Sequence, residues 1–185
     1  TLDPGAEITC TFTNFKPGPT RTQGFWQTHT SFTSSVFALS AMQRFVGVNL
    51  APVPGSHKGT ITNTLLSNQS ELFGAYYSSV SMKSTGKGKL AQRLPVDHAR
   101  MVLLQQLITS KLNCAAFGCS LATMGNIAAA DTAYSIGNIG GMKLYTGILD
   151  IYNNSGDTII LTGTPGKATP KDSQNLANKA FWDAP

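Results

Sequence analysis

Histidine is the first residue type to consider for metal or acid–base chemistry, and the chain has three: His29, His57 and His98. A zinc site needs three or four converging ligands, and its usual sequence signal is a close pair such as i, i+4 on a helix. No two of these histidines are close in the sequence, so we predict no metal site and no cofactor. His29 follows Phe25 and Trp26 and is predicted to be a hydrogen-bonded structural residue.

Nucleophiles and carboxylates give no stronger signal for catalysis. A serine or cysteine nucleophile needs a base and an orienting acid, yet no G-x-S-x-G turn and no phosphate-binding glycine loop occurs. Glycoside hydrolysis needs two carboxylates facing one cleft. The aspartates set within apolar helices, Asp131 and Asp150, are expected to cap a helix or pair with a basic neighbour. We predict a non-catalytic protein; an extracellular hydrolase is the alternative if His29 or His98 meets an aspartate in a cleft.

The three cysteines leave one residue over whichever two of them pair. Cys114 and Cys119 flank "AAFG", and Gly118 could turn the chain sharply enough to bring their sulfurs together. A local disulfide of this kind leaves Cys10, which in a secreted protein suggests an intermolecular partner. Two alternatives stay open, a buried free thiol and a bond from Cys10 to one of the other two cysteines.

The composition is typical of a secreted protein. Only 12% of the 185 residues are charged, so Thr, Ser, Asn and Gln must form much of a surface that suits dense packing against other copies. No apolar run approaches the roughly 18 residues that span a bilayer, so no membrane span is predicted. The sequence begins with Thr1 rather than Met, which we interpret as a processed product whose export signal has been removed.

The net charge of +5 is concentrated in "MKSTGKGKLAQR". A nucleic-acid groove interleaves basic residues with stacking rings, and this segment lacks them, so no specific nucleic-acid partner is predicted. We expect a solvated loop, with an extracellular anionic polysaccharide as the alternative partner. The basic residues concerned are Lys83, Lys87, Lys89 and Arg93.

Hydrophobic periodicity predicts a mainly α fold with a small β component. Residues 1–15 form a strand or arm, residues 16–22 a linker, and residues 23–185 a mostly helical globular domain. Apolar spacing and capping residues predict helices over residues 34–46, 71–80, 94–117, 120–138, 141–154 and 173–182. Residues 157–162, "DTIILT", are predicted to be a second strand. Ala and Gly in the later helices are interpreted as packing surfaces.

The stretch "PGAEITCTFTN" at residues 4–14 resembles the closing strand of the SpaA-type, prealbumin-like Ig-like repeats of bacterial surface proteins. The remaining strands of such a β-sandwich are absent from this chain. The rest, with "TQGFWQTH" near its start and "GKATPKDSQNLANKAFWD" near its end, is similar to an uncharacterised module of large secreted bacterial proteins. The resemblance implies an extracellular or cell-surface location and no activity.

These features lead to one functional hypothesis and one competitor. A strand at residues 6–13 with few partners in its own chain predicts strand exchange between copies, and hence a structural protein that forms filaments or a surface layer. The competitor is an adhesin that binds polysaccharide through the Phe-Trp pairs and the basic loop. Asn68 and Asn153 match the N-glycosylation pattern. The predicted inter-subunit contact residues are Ile8, Cys10, Phe12, Phe25, Trp26, Phe181 and Trp182.

Overall fold

The computed structural model describes residues 18–38, 66, 68–80, 93–163 and 165–182. These ranges are mainly helical, which confirms the predicted mainly α fold class. They contain no β-strand, and the predicted strand at the start of the chain lies outside the described residues. None of the helices in these ranges has the length and apolar character needed to cross a membrane. In chain order they are α1 (Gln23–Thr28), α2 (Thr30–Ala38), α3 (Gln69–Tyr77), α4 (Pro95–Phe117), α5 (Leu121–Ile136), α6 (Ile139–Ser155), α7 (Pro170–Leu176) and α8 (Lys179–Trp182).

Local signals set the ends of the three longest helices. Pro95 occupies the first turn of α4, where its missing N–H costs no hydrogen bond. Gly118 ends α4 with φ of 76°, a conformation that favours glycine, and Ser120 then caps α5 by accepting from the Thr123 N–H. Gly156 follows the last residue of α6. Because only short turns join them, α5 runs antiparallel to both α4 and α6. The helices α4 and α6 are therefore parallel, as the contacts of Gln106 with Asp150 and of Ser110 with Asn153 require, and all three pack against one another.

The central helix is α4, which is enclosed on most sides. Five apolar residues that recur at helical spacing along it form a stripe, and all five are completely buried. Side chains from α1 to α6 and α8 join them in one hydrophobic cluster, so α4 is the centre of the core. The stripe consists of Met101, Leu104, Leu107, Ile108 and Leu112.

The C-terminal segment packs across α3 and α1. The Asn178 N–H donates to the Ser70 carbonyl over 2.8 Å, and the Trp182 indole donates to the Glu71 carbonyl over 2.7 Å. Gly74 permits this close approach, because a Cβ atom there would lie 2.3 Å from the Asn178 oxygen. The end of the chain is thereby fixed to an element about a hundred residues earlier.

Three local predictions are wrong. Residues 157–162 form turns and bends instead of a strand. The Arg21 guanidinium donates hydrogen bonds to the carbonyls of Gly156 and Ile159 over 3.0 and 2.5 Å, so these carbonyls are not available to a neighbouring strand. The helix predicted over 173–182 is two helices, and the one that contains Ser173 begins at Pro170. The second helix begins at Thr30, earlier than predicted, and its predicted continuation to residue 46 lies outside the described residues.

Candidate functional site

The predicted bond between Cys114 and Cys119 is present, with Cα atoms 4.8 Å apart. Beside it lies a cavity of about 180 Å³ at the start of α5, and Cys119 forms part of its lining. The Tyr152 hydroxyl, from α6, lies 3.6 Å from the Cys114 sulfur. Burial raises the pKa of Tyr152 to about 12, so the phenol stays protonated near neutral pH and can donate to that sulfur. The remaining lining residues are Gly18, Thr20, Gly118, Ser120, Thr123 and Ser155.

A buried amide network joins the segment before α1 to α4 and α6. The Asn113 side-chain oxygen accepts from the Trp26 indole over 2.9 Å and from the Arg21 backbone N–H over 2.8 Å. Its amide nitrogen donates to the Arg21 carbonyl and to Asn153, each within 3.0 Å. Asn153 also accepts from Ser110 over 2.9 Å. In both Asn113 and Asn153, the side-chain oxygen and nitrogen have hydrogen-bond partners within the chain, so this cluster has a structural role.

A second buried polar contact is the ion pair between Lys111 on α4 and Asp131 on α5, 2.7 Å apart. The predicted pairing of Asp131 with a basic neighbour is thus confirmed. Burial lowers the pKa of Lys111 and raises the pKa of Asp131, and their mutual attraction opposes both changes. Asp150 lies on the exposed side of α6, where it accepts from the Gln106 amide over 3.1 Å.

The two described histidines make local structural contacts. His29 Nδ1 lies 3.0 Å from the Phe25 carbonyl and its ring stacks on Phe25, as the predicted structural role requires. His98 Nδ1 is hydrogen-bonded to the Val80 carbonyl. In the described part of the chain, no three His, Cys, Asp or Glu side chains are grouped closely enough to hold a metal ion.

Among the predicted partner-binding residues that the structure describes, Trp26, Trp182 and Arg93 are buried. Trp26 and Trp182 are 0% exposed within this chain and offer no surface to a second copy or a sugar, whereas Phe25 and Phe181 keep part of theirs. Arg93 was predicted to lie in a solvated loop but is buried, and it donates to the Ser79 and Trp182 carbonyls over 2.6 Å. The predictions for Ile8, Cys10, Phe12 and the three loop lysines fall outside the described residues.

The two glycosylation candidates lie in different environments. Asn68 is exposed, but its side chain caps α3 by accepting from the Glu71 N–H over 3.0 Å. Asn153 is completely buried, and its amide nitrogen donates to Gln106 over 2.8 Å. A glycan on Asn153 would require this part of the network to open.

The outward face of α6 carries exposed aliphatic side chains at regular spacing. Leu144 is 59% exposed and Ile151 is 73% exposed. Gly140 and Gly147 are also exposed, and a Cβ atom at Gly147 would meet nothing within 4 Å. We call these four residues the outer stripe. Their spacing of four, three and four residues is that of the a and d positions of a coiled coil.

The opposite face of α6 forms part of the core. Met142, Leu149 and Asn153 are completely buried there. The outer stripe is bordered by two exposed charged residues, Lys143 and Asp150, which are one heptad apart. The sequence contains two sets of residues that repeat every seven positions in α6. Met142 and Leu149 belong to the buried set, and the outer stripe, with Leu144 and Ile151, is the second set, two positions further along. It was missed because glycines at two of its positions lower its hydrophobicity.

No family model, no curated protein and no solved structure matches this chain.

Proposed function

We propose that the chain is a non-catalytic extracellular structural subunit that associates with a second copy of itself through the outer stripe of α6. The observation that carries the proposal is the heptad-spaced, exposed alternation of Gly140, Leu144, Gly147 and Ile151. A helix that already buries one face in its own core gains nothing within the monomer from a second apolar face. A matching helix surface is the partner that such spacing fits.

Antiparallel packing of two α6 helices matches large residues with small ones. In antiparallel coiled coils, a positions pack against d positions, so Leu144 would lie against Gly147 of the second copy. Ile151 would lie against Gly140 of the second copy in the same register. Parallel packing would place glycine opposite glycine and leave gaps, which forfeit van der Waals contact. The sizes of the side chains therefore favour the antiparallel arrangement.

The charged residues bordering the stripe support the same orientation. Lys143 and Asp150 occupy equivalent heptad positions, and in an antiparallel pair these positions lie near each other across the interface. Lys143 of one copy would approach Asp150 of the second, and the two-fold axis repeats the contact. Each opposite-charge pair on such a surface contributes a modest stabilisation.

The stripe alone supports a closed pair of limited stability. A helix of 17 residues is about 26 Å long, and one pair of such helices buries less than the roughly 800 Å² per partner of a standard interface. A two-fold contact also closes on itself. Growth into a filament or surface layer therefore needs a second contact. We assign that contact to the arm of residues 1–15, with Ile8, Cys10 and Phe12 as its apolar side.

Two further features support an extracellular setting. The Cys114–Cys119 disulfide is a bond that persists in oxidising compartments and is rare in the cytosol. The low content of charged residues gives a surface that packs readily against copies of itself. The adhesin alternative is not favoured by the described contacts, because both tryptophans and Arg93 are buried within the chain.

Sedimentation equilibrium of the full chain tests the proposal. We expect reversible association in the wild type and an association constant lowered at least about tenfold in Ile151→Asp, because a carboxylate would be buried in the contact. Ile160→Asp is the matched control, since Ile160 is 89% exposed on the loop that follows α6 and is not part of the outer stripe. Deletion of residues 1–15 should leave pairs but abolish larger species. A monomeric wild type, or equal weakening by both aspartate substitutions, would contradict the proposal.

A further inference from the structure

We propose that the cavity at the start of α5 binds one neutral sugar ring, either a free monosaccharide or the terminal unit of a polysaccharide. The proposal does not depend on self-association through α6, and it does not use the Phe-Trp pairs. It begins from the lining of the cavity, because five of the lining residues that the structure describes carry a hydroxyl group. These five are Thr20, Ser120, Thr123, Tyr152 and Ser155.

The size of the cavity fits one six-membered ring. Its volume is about 180 Å³, and a protein cavity of about 150 Å³ is large enough to hold benzene. Gly18 and Gly118 contribute no side chain to the lining, which leaves this space open. Gly118 and Ser155 are exposed, so one side of the cavity lies at the surface. A ring can enter from that side, and a second sugar unit attached to it can extend into the solvent.

The lining is polar but carries no charge. No acidic or basic side chain is among the described residues of the lining, and burial keeps the Tyr152 phenol neutral by raising its pKa to about 12. A carboxylate or phosphate would lose its water here without gaining a counter-charge, which is unfavourable. The cavity therefore favours a neutral ligand.

The Thr20 hydroxyl supplies a buried donor at the cavity. Its oxygen accepts from the Gly156 N–H over 2.7 Å, but its hydrogen has no acceptor among the described residues. Thr20 is only 3% exposed, so bulk water reaches this hydrogen poorly. A buried donor without an acceptor is costly, and a hydroxyl oxygen of a ligand in the cavity would satisfy it.

The other hydroxyl groups of the lining offer both donors and acceptors. Ser120 and Thr123 lie 3.0 Å apart and one donates to the other, which leaves the second hydrogen free to donate. Ser155 donates to the Tyr152 carbonyl over 2.8 Å and keeps the lone pairs of its own oxygen. The Tyr152 hydroxyl donates to the Cys114 sulfur, which carries no hydrogen in the disulfide, and also keeps its lone pairs. Every hydroxyl group of a sugar both donates and accepts, so a sugar ring matches this mixture.

Titration of the isotope-labelled full chain, monitored by NMR, tests the proposal. The probes are D-glucose, D-galactose and D-mannose, each added alone. We expect at least one of them to shift the backbone amide signals of Thr20 and Thr123 saturably, with a dissociation constant on the order of 10 mM or lower. Cyclohexanol, a ring of similar size with a single hydroxyl, should bind at least about tenfold more weakly because it loses several hydrogen bonds. A cavity that holds water only, with no saturable shift for any of the three sugars, would overturn the proposal, as would equal binding of cyclohexanol.

A valine substitution tests whether the lining hydroxyls make the contact. Thr123→Val removes one hydroxyl, keeps the size of the side chain and retains the backbone N–H that Ser120 accepts. It should weaken binding of the sugar about fivefold, the effect of one lost hydrogen bond. Thr132→Val is the matched control, because Thr132 is exposed on the same helix and does not line the cavity. Equal affinities of the two variants would overturn the proposal.

A disaccharide distinguishes the two sources of the ring. Maltose, lactose or mannobiose is chosen so that its non-reducing end is the monosaccharide that binds. We expect the disaccharide to bind within about threefold of the monosaccharide, which assigns the cavity to the end of a chain. Binding of the monosaccharide alone assigns the cavity to a free sugar, and both results support a site for one neutral ring.

Discussion

The two faces of α6 have opposite properties, although they belong to the same 17 residues. The inward face is fully enclosed, with Met142 and Leu149 in the core and Asn153 in the amide network. The outward face alternates exposed aliphatic residues with exposed glycines. The inward face has the packing and satisfied hydrogen bonds that a stable monomer needs. The outward face has features that the monomer does not use, which is why we assign it to association between copies.

Charge shows the same contrast between buried and exposed positions. Lys111 is 1% exposed and depends on Asp131, whereas Lys143 lies in the open. Asp131→Asn should lower the free energy of unfolding by about 3–5 kcal/mol, because it leaves a buried ammonium without its counter-charge. Asp150→Asn is the exposed control and should change it by less than about 0.5 kcal/mol. Urea denaturation monitored by circular dichroism measures both.

The pH dependence of Asp131→Asn provides an independent check. Burial lowers the pKa of Lys111, and removing the Asp131 carboxylate removes the attraction that opposes this shift. Between the lowered pKa of the folded state and the ordinary value of about 10.5, the unfolded chain holds a proton that the folded chain has released. The stability of this variant should therefore rise with pH across that interval. A stability that falls with pH there would contradict the assignment.

Identical substitutions on the two faces of α6 sharpen the comparison. Leu149→Ala should lower the free energy of unfolding by about 3 kcal/mol, because it creates a cavity in the core. Leu144→Ala should lower it by less than about 0.5 kcal/mol when the protein is dilute, and should weaken association instead. Denaturation at low and high protein concentration separates the two effects. Similar losses of stability in both variants at low concentration would contradict the two-face description.

The sequence predicts the ends of α4, α5 and α6 well because their signals are local. Pro95, Gly118 and Ser120 act on backbone groups within four residues of themselves. The disulfide is predictable for the same reason, since Gly118 turns the chain between its two cysteines.

The errors arise where a distant residue decides the outcome. Residues 157–162 have high strand propensity, but Arg21, more than 130 positions earlier, donates to the carbonyl of Gly156 just before this stretch and to that of Ile159 within it. Arg93 is buried because the carbonyls of Ser79 and Trp182 meet at its guanidinium, and Trp182 is 89 residues away. The two Phe-Trp pairs were predicted to be contact residues from their residue types alone, and both tryptophans have 0% exposure. Sequence spacing alone does not give these long-range contacts.

Glycine replacement tests whether the outer stripe needs its small positions. Gly147→Ala should raise the free energy of unfolding of the dilute monomer by up to about 1 kcal/mol, because alanine is the better helix former and its Cβ meets no neighbour. The same methyl group would occupy the space assigned to Leu144 of the second copy and weaken association. Gly125→Ala on α5 is the matched control, since a Cβ there also meets nothing within 4 Å. The assignment fails if both variants associate as the wild type does.

Exchanging the two charged residues beside the outer stripe tests the antiparallel pairing of α6 most directly. Sedimentation equilibrium should give association constants lowered about threefold or more for Lys143→Asp and for Asp150→Lys, because each places like charges together at two symmetric positions. The double variant restores both opposite-charge pairs and should return to near the wild-type constant. If the double variant associates as weakly as the singles, or if none of the three differs from the wild type, two α6 helices do not pair in this way.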